Sequence, residues 1–351
     1  MKVKKLLVAA MFATISAASV YAQDVQLATL QQGEELQVFY GADALKNALT
    51  AANDGDLITL TAGTFNAPTI TKGVTIQGAG YVTDAAVGKY PTVINGDIAI
   101  QPQEGEIEGL VIEGIYSDNT ISFGTYNKYI TATACVIKKS RLKEINLTGY
   151  SYSGNSHTKN CLIDQCRISG YLYPDKESEN LYVKNSVINR IGGNNSSVTF
   201  FVENCVITSS VEGYYNTNNT GTTAIYRNNI IKTVNINAIN GSLASSSSAY
   251  NNVFIQGNAN DVVNKSGNMT SNANTLFGYA IDYNDNKTYE LTEEARTTFL
   301  GTDGTQVGIY GGDTPFTDVP TNPQITSKNI ATKSTPDGKL NVSIKVEAQN
   351  Q

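Results

Sequence analysis

Along the middle of the chain, apolar and polar positions repeat as a unit. The stretch Val183-Lys184-Asn185-Ser186-Val187-Ile188 shows it: an apolar residue, a spacer, Asn, a small residue, a second spacer and a closing apolar residue. The same pattern runs through 137–142, 163–168, 202–207, 226–231 and 249–254. The closing positions fall at 142, 168, 188, 207, 231 and 254, so the intervals are 26, 20, 19, 24 and 23 residues. Recurrence at about 20 to 50 residues is the signature of a solenoid, in which no single repeat buries its apolar side but stacked copies bury a continuous core. The runs are short and β-branched, and Asn, Gly and Ser bound them, which predicts strands and turns rather than helices.

Stacking the repeats turns sequence positions into columns. Leu142, Ile168, Ile188, Ile207, Ile231 and Phe254 form a wholly apolar column that should point inward. The column before it holds Arg141 and Arg167, then Val187, Val206, Ile230 and Val253. Two unpaired arginines inside a narrow core would be prohibitive, so this column should face out. Its apolar half then forms a strip of the kind that marks an interaction site or a docked tail; we read it as β-propensity on a half-covered face. Asn185, Asn204, Asn228 and Asn251, with Gln165 and Lys139 as departures, suit a bend in the left-handed backbone region. Lys138, Asp164, Lys184, Glu203 and Arg227 alternate in sign from coil to coil. Such a ladder contributes about 0.2–1 kcal/mol per neighbouring pair, enough to hold register.

Upstream of the repeats, Ala44, Leu45, Ala48, Leu49 and Ala52 share one helical face, and Asn53-Asp54-Gly55-Asp56 ends that helix. Short strands are predicted at Leu57-Ile58-Thr59-Leu60, Gly63-Thr64-Phe65, Ile70 and Val74-Thr75-Ile76. This opening, a short helix followed by "DGDLITLTAGTF" and "ITKGVTIQGAG", resembles the entry to the pectin-lyase-like superfamily. The resemblance covers residues 36–285. It implies an all-β, single-stranded, right-handed parallel β-helix with an N-terminal capping helix, and it carries no catalytic residue. Further on, Thr292 should start a brief helix, and 301–312 is a glycine-rich close. Thr335-Pro336-Asp337-Gly338 between the runs 325–332 and 340–346 predicts a C-terminal β-hairpin, Pro setting φ and Gly accepting a positive φ. The Gly308-Ile309-Tyr310-Gly311-Gly312 close and the hairpin look similar to the ends of many secreted β-helix proteins of Gram-negative bacteria.

At the front, Lys2, Lys4 and Lys5 precede an apolar run over 6–20, and Val20-Tyr21-Ala22 supplies the small residues of a cleavage site before Gln23. That is the pattern of a secretory signal peptide. The run is shorter than the roughly 20 residues that span a bilayer, and no Cys follows the cleavage point to take a lipid. The expected organisation is a signal peptide at 1–22, an N-terminal segment and capping helix at 23–52, the β-helix at 53–287, and the closing segment with its hairpin at 288–351. The expected location is the periplasm, the cell surface or the medium. Loss of the leader takes three lysines and no acid from a formal charge of −6, leaving −9. So acidic a chain is a poor candidate for nucleic acid.

An oxidising compartment permits disulfides. Cys135 and Cys161 occupy one column of neighbouring coils, where a strand spacing of about 4.8 Å lies within disulfide reach although stacked parallel positions are awkwardly oriented. The alternative is two stacked buried thiols. Cys166 and Cys205 share a second column, but Ser186 intervenes.

Polysaccharide is the partner the sequence suggests. The basic cluster Lys138, Lys139, Arg141, Lys143 and Arg167 could hold carboxylates or sulfates, since Arg pairs with carboxylate in a bidentate manner. Tyr150, Tyr152, Tyr171, Tyr173, Tyr214 and Tyr215 are read as loop residues able to stack on sugar rings. Polygalacturonase-like members of the superfamily carry Asn-X-Asp, Asp-Asp, Gly-His-Gly and Arg-X-Lys, and that set is not found. Nor are the clustered Asp residues of calcium-dependent pectate lyases. His157 reads as a surface loop residue, and Glu104, Glu106 and Glu108 as a solvated turn. Asp282, Asn284, Asn286, Glu290 and Glu293 approach calcium-loop spacing, but Lys287 stands where the sharp turn needs Gly, so no metal or cofactor is expected. The favoured reading is a non-catalytic protein that binds polysaccharide or presents an adhesive surface. The alternatives are a polysaccharide lyase or hydrolase acting on acidic glycans through Arg141, Lys143 and Arg167, or a structural surface protein.

Overall fold

A computed structural model describes residues 26–85, 89–125, 128–147, 156–174, 178–192, 199–211, 223–234, 248–256, 265–321 and 323–347. Within them the chain is an all-β solenoid of mostly parallel strands. The first sheet begins with Glu35–Tyr40 and Leu27–Gln32, which pair antiparallel with each other and, through Leu27–Gln32, with Leu57–Leu60. Parallel strands then follow in chain order from Thr75–Gln77 through Val136–Lys138 and Leu181–Lys184 to Lys265–Ser266. The second sheet runs from Gly63–Asn66 through Arg141–Asn146, Arg167–Tyr173 and Val187–Ile191 to Met269–Thr270. A third, short sheet joins Glu106–Glu108, Thr131–Thr133 and His157–Lys159.

Register follows the repeat. Ile137, Ile163, Val183, Val202, Tyr226 and Ala249 are successive partners in the first sheet. Leu142, Ile168, Ile188, Ile207, Ile231 and Phe254 are successive partners in the second. All are buried in one continuous core. Helix α1 (Ala44–Ala51) buries Ala44, Leu45, Ala48 and Leu49 against the first strands, the face its spacing predicts.

Each coil turns from the first sheet into the second through a residue with positive φ: Lys139 (48°), Gln165 (52°), Asn185 (42°), Asn204 (52°), Asn228 (59°) and Asn251 (47°). Asn tolerates this region better than other non-glycine residues. The small residue that follows points inward and links the coils. Ser186 Oγ accepts from the Cys166 amide (3.0 Å), Asn229 Oδ1 from the Cys205 amide (2.8 Å) and Asn252 Oδ1 from the Asn229 amide (3.1 Å).

The outward column is covered. Val187, Val206, Ile230 and Val253 are fully buried in a second apolar cluster with Leu276, Phe277, Ile281, Tyr289, Leu291, Val307, Ile309 and Phe316. The segment supplying that cover, 273–321, contains α2 (Ala273–Phe277) and α3 (Glu293–Thr298), the latter capped by Thr292 as its sequence predicts. It runs back along the bends. Asn251 Nδ2 donates to Leu300 O (3.0 Å), Asn228 Oδ1 accepts from Thr302 N (2.8 Å), and Asn185 Nδ2 donates to Ile309 O (3.0 Å) and Gly311 O (2.8 Å). It ends on Glu113, whose carboxylate accepts from Thr321 N (2.6 Å) and Oγ1 (2.8 Å). A half-covered face is therefore corrected to a fully covered one, and the cover is a docked tail. The hairpin follows as Gln324–Ile330 paired antiparallel with Val342–Glu347, its turn closed by Gly338 at φ +80°.

The charge ladder forms in part. Glu203 lies between Lys184 (3.7 Å) and Arg227 (3.2 Å). Lys138 pairs with its register partner on the preceding coil, the buried Glu113 (3.3 Å), which extends the alternation, whereas Asp164 Oδ1 is buried without a hydrogen-bond partner. The four cysteines are unbridged and buried. Of the two expectations for Cys135 and Cys161, the structure holds the stacked buried thiols. Their thiols face backbone carbonyls, Cys135 Sγ to Thr133 O (3.6 Å) and Cys161 Sγ to Ala132 O (3.4 Å). The neighbouring Cys161 thiol, then burial, raises the pKa of Cys135; burial pushes Cys166 up to about 12.

Three outcomes are expected. Thiol reagent at pH 8 should leave the native protein unlabelled and find four thiols after unfolding without reductant; two would mean an oxidised Cys135–Cys161 pair. Asn185→Ala strips donors from two buried tail carbonyls and should cost about 1–3 kcal/mol in denaturant titration, with earlier proteolysis of 273–321. Burial raises the Asp164 carboxyl to about 6, opposed by Lys184, Lys139 and Lys138. Its folded pKa exceeds the unfolded value of about 3.9, so its penalty is absent below pH ~4 and complete above ~6. Asp164→Asn should match the wild type near pH 4 and exceed it by about 1–3 kcal/mol at pH 7; an offset constant across that window would exonerate Asp164.

Candidate glycan-binding groove

The predicted basic cluster is divided rather than assembled. Lys138 is paired with Glu113, and Lys139 sits at a bend, where burial lowers its pKa. Arg141 pairs with Asp118 and Asp285 (2.8 Å to the latter) and lies 4.4 Å over the Tyr116 ring. Burial alone would lower the pKa of Arg141, but the hydrogen bonds to Asp285 and Asp118 outweigh it and raise the value. Arg167 is only 6% exposed. Its Nη2 donates to Lys287 O (3.1 Å), and its guanidinium lies 5.2 Å from the Phe316 ring and 5.8 Å from that of Tyr289. Both arginines therefore anchor the docked tail.

Lys143, Tyr171 and Tyr173 lie on strands of the second sheet. The two tyrosine rings stack at 4.8 Å and 8°. Arg190 Nη1 donates to Tyr171 Oη (2.6 Å). A Cβ on Gly192 would stand 2.5 Å from the Tyr173 ring, so that ring needs glycine beside it. These tyrosines are thus packed strand residues rather than loop residues; Tyr150, Tyr152, Tyr214 and Tyr215 lie outside the described residues. Beside them, burial raises the Glu144 carboxyl, with Lys143 opposing and Asp97 adding to the shift.

Two fragments of the polygalacturonase set do occur, as Asn95-Gly96-Asp97 and Arg141-Leu142-Lys143. Asp97 Oδ1 accepts from Thr120 N (2.9 Å), and Arg141 is tied to the tail. Without an Asp pair and a Gly-His-Gly the set stays incomplete. Among the described residues no three His, Cys, Asp or Glu converge as a metal site. In the calcium-like stretch, Asp282 pairs with Lys287 and Asp285 with Arg141.

The third sheet carries an open groove of about 670 Å³. Asp54, Glu106, Glu108, Thr131, Thr133 and Lys159 line it. Glu106, Thr131 and His157 are register partners in one column; Glu108, Thr133 and Lys159 form the next. Between the columns, Ile107 and Ala132 are buried and hold the strands to the core. Gly73 lies so close to Glu108 that a Cβ there would meet its carbonyl at 1.8 Å, and the Gly73 amide donates to Asp54 Oδ1 (2.6 Å). Glu179 approaches from the next coil, 3.7 Å from Lys159 and 3.8 Å from His157. Two expectations are corrected here: Glu106 and Glu108 belong to a strand rather than a turn, and His157 begins a strand rather than lying in a loop. Their only sequence signal was the alternation Glu106-Ile107-Glu108, too short to separate from a turn.

Chemically, the groove offers carboxylate acceptors, hydroxyls that donate and accept, and one ammonium, in columns at strand spacing. Among the described residues no helix is long and apolar enough to cross a membrane. Compared with known proteins, the chain matches no protein-family model and no curated protein sequence.

Proposed function

We propose that this chain is an exported, right-handed parallel β-helix of the pectin-lyase-like kind, closed at its N-terminal end by α1, that binds polysaccharide without cleaving it. The observation that carries the reading is the groove of the third sheet, where Asp54, Glu106, Glu108, Thr131, Thr133 and Lys159 present hydrogen-bonding groups along an open channel. A hydroxyl-rich chain fits such a surface, because charged acceptors make the stronger hydrogen bonds to neutral donors. Three carboxylates against one lysine favour neutral or amino-bearing glycans over acidic ones. Against catalysis stands the engagement of Arg141 and Arg167 with the tail, which removes the base and the charge stabiliser that a lyase acting through them would need.

Binding to a panel of neutral, amino-bearing and acidic polysaccharides, followed together with absorbance of unsaturated products, tests this directly. The expected result is retention of neutral or amino-bearing chains with no turnover. Glu106→Gln with Glu108→Gln should weaken that retention by about tenfold or more, since each lost charged hydrogen bond is worth about 1.5–3 kcal/mol. Retention indifferent to both substitutions, or unsaturated product from any acidic glycan, would sink the reading.

A further inference from the structure

Two rows of exposed apolar side chains stand apart from every surface described above. Leu36, Val38 and Tyr40, 64%, 40% and 66% exposed, alternate along the strand Glu35–Tyr40. Leu340, Val342 and Ile344, 51%, 53% and 51% exposed, alternate into the hairpin strand Val342–Glu347. Apart from Tyr90 and Leu300, these are the exposed large apolar residues among the described ones. Both strands are sheet edges. Glu35–Tyr40 pairs only with Leu27–Gln32, and Val342–Glu347 only with Gln324–Ile330, among the described residues. An apolar edge strand is a template for pairing with another chain unless charge, proline or a cover blunts it.

The two edges also complement each other in charge. Residues 26–40 contain Glu34 and Glu35 and no Lys or Arg. The hairpin, 324–347, carries Lys328, Lys333, Lys339 and Lys345 against Asp337 and Glu347. The apolar rows share the alternate spacing that puts three side chains on one face of a strand.

We propose that these edges form one interface between copies of this chain: the hairpin strand of one copy adds beside Glu35–Tyr40 of the next and continues its first sheet. Main-chain hydrogen bonds hold the added strand, and the matched apolar rows set its register. The contact joins unlike surfaces, so each pairing leaves one free hairpin and one free edge, and assembly grows past the dimer.

Sedimentation of the purified protein over a concentration series tests the proposal, with Val38→Lys and Ile344→Lys as variants. Both positions are exposed, so unchanged thermal melts will show that the folds are intact. The wild type should form species larger than dimers as concentration rises. Each variant alone should associate at least about tenfold more weakly. Mixed one to one, the variants should form dimers that do not grow, because one supplies the intact hairpin and the other the intact edge. A wild type that stays monomeric, whether its hairpin folds onto its own edge or the edge serves a different protein, overturns the proposal. So does association that survives in both single variants.

Discussion

The corner between the first and second sheets requires a positive φ in every repeat, and the rest of the molecule depends on how that requirement is met. Asparagine meets it at Asn185, Asn204, Asn228 and Asn251. Because the backbone turns there, the side-chain amide is carried to the outside of the corner. Asn185, Asn228 and Asn251 hold the tail with those amides, and Lys139 and Gln165 hold the same conformation at earlier coils. One residue choice therefore serves both the bend and the docking of the segment that follows the solenoid.

That docking resolves what would otherwise be a conflict. A column running from two arginines to four aliphatic residues is awkward in a core and awkward in water. Facing it outward and covering it with 273–321 satisfies both halves. Val187, Val206, Ile230 and Val253 gain an apolar cover, and Gly308 lets the tail approach Ile230 closely, since a Cβ there would stand 2.9 Å from its side chain. Arg141 and Arg167 gain carboxylate, carbonyl and ring partners from the same segment. Arg141 and Arg167, which looked most like a binding site, are thus consumed by the fold, and the open groove lies along the short third sheet instead.

Among the described residues the third sheet is built where three successive coils each add a strand, Glu106–Glu108, Thr131–Thr133 and His157–Lys159. On its outward face Glu106 and Glu108 are exposed, and Thr131, Thr133, His157 and Lys159 are half-buried.

The repeat determined the strands, their register, the inward column and the bends, because a period near twenty residues with alternating burial leaves one way to stack them. Local signals outside the repeat likewise determined α1, the cap at Thr292 and the terminal hairpin. What only the tertiary structure decided is which outward residues remain outward. Arg141 and Arg167 face out in the repeat and are covered in the fold because residues more than a hundred positions later lie on them. Glu106 and Glu108 look like a turn in isolation and become a groove wall because the next two coils stack Thr131, Thr133 and Lys159 beside them. Periodicity reports which side of its own strand a residue occupies; it holds no information about what a non-repeating segment will later cover.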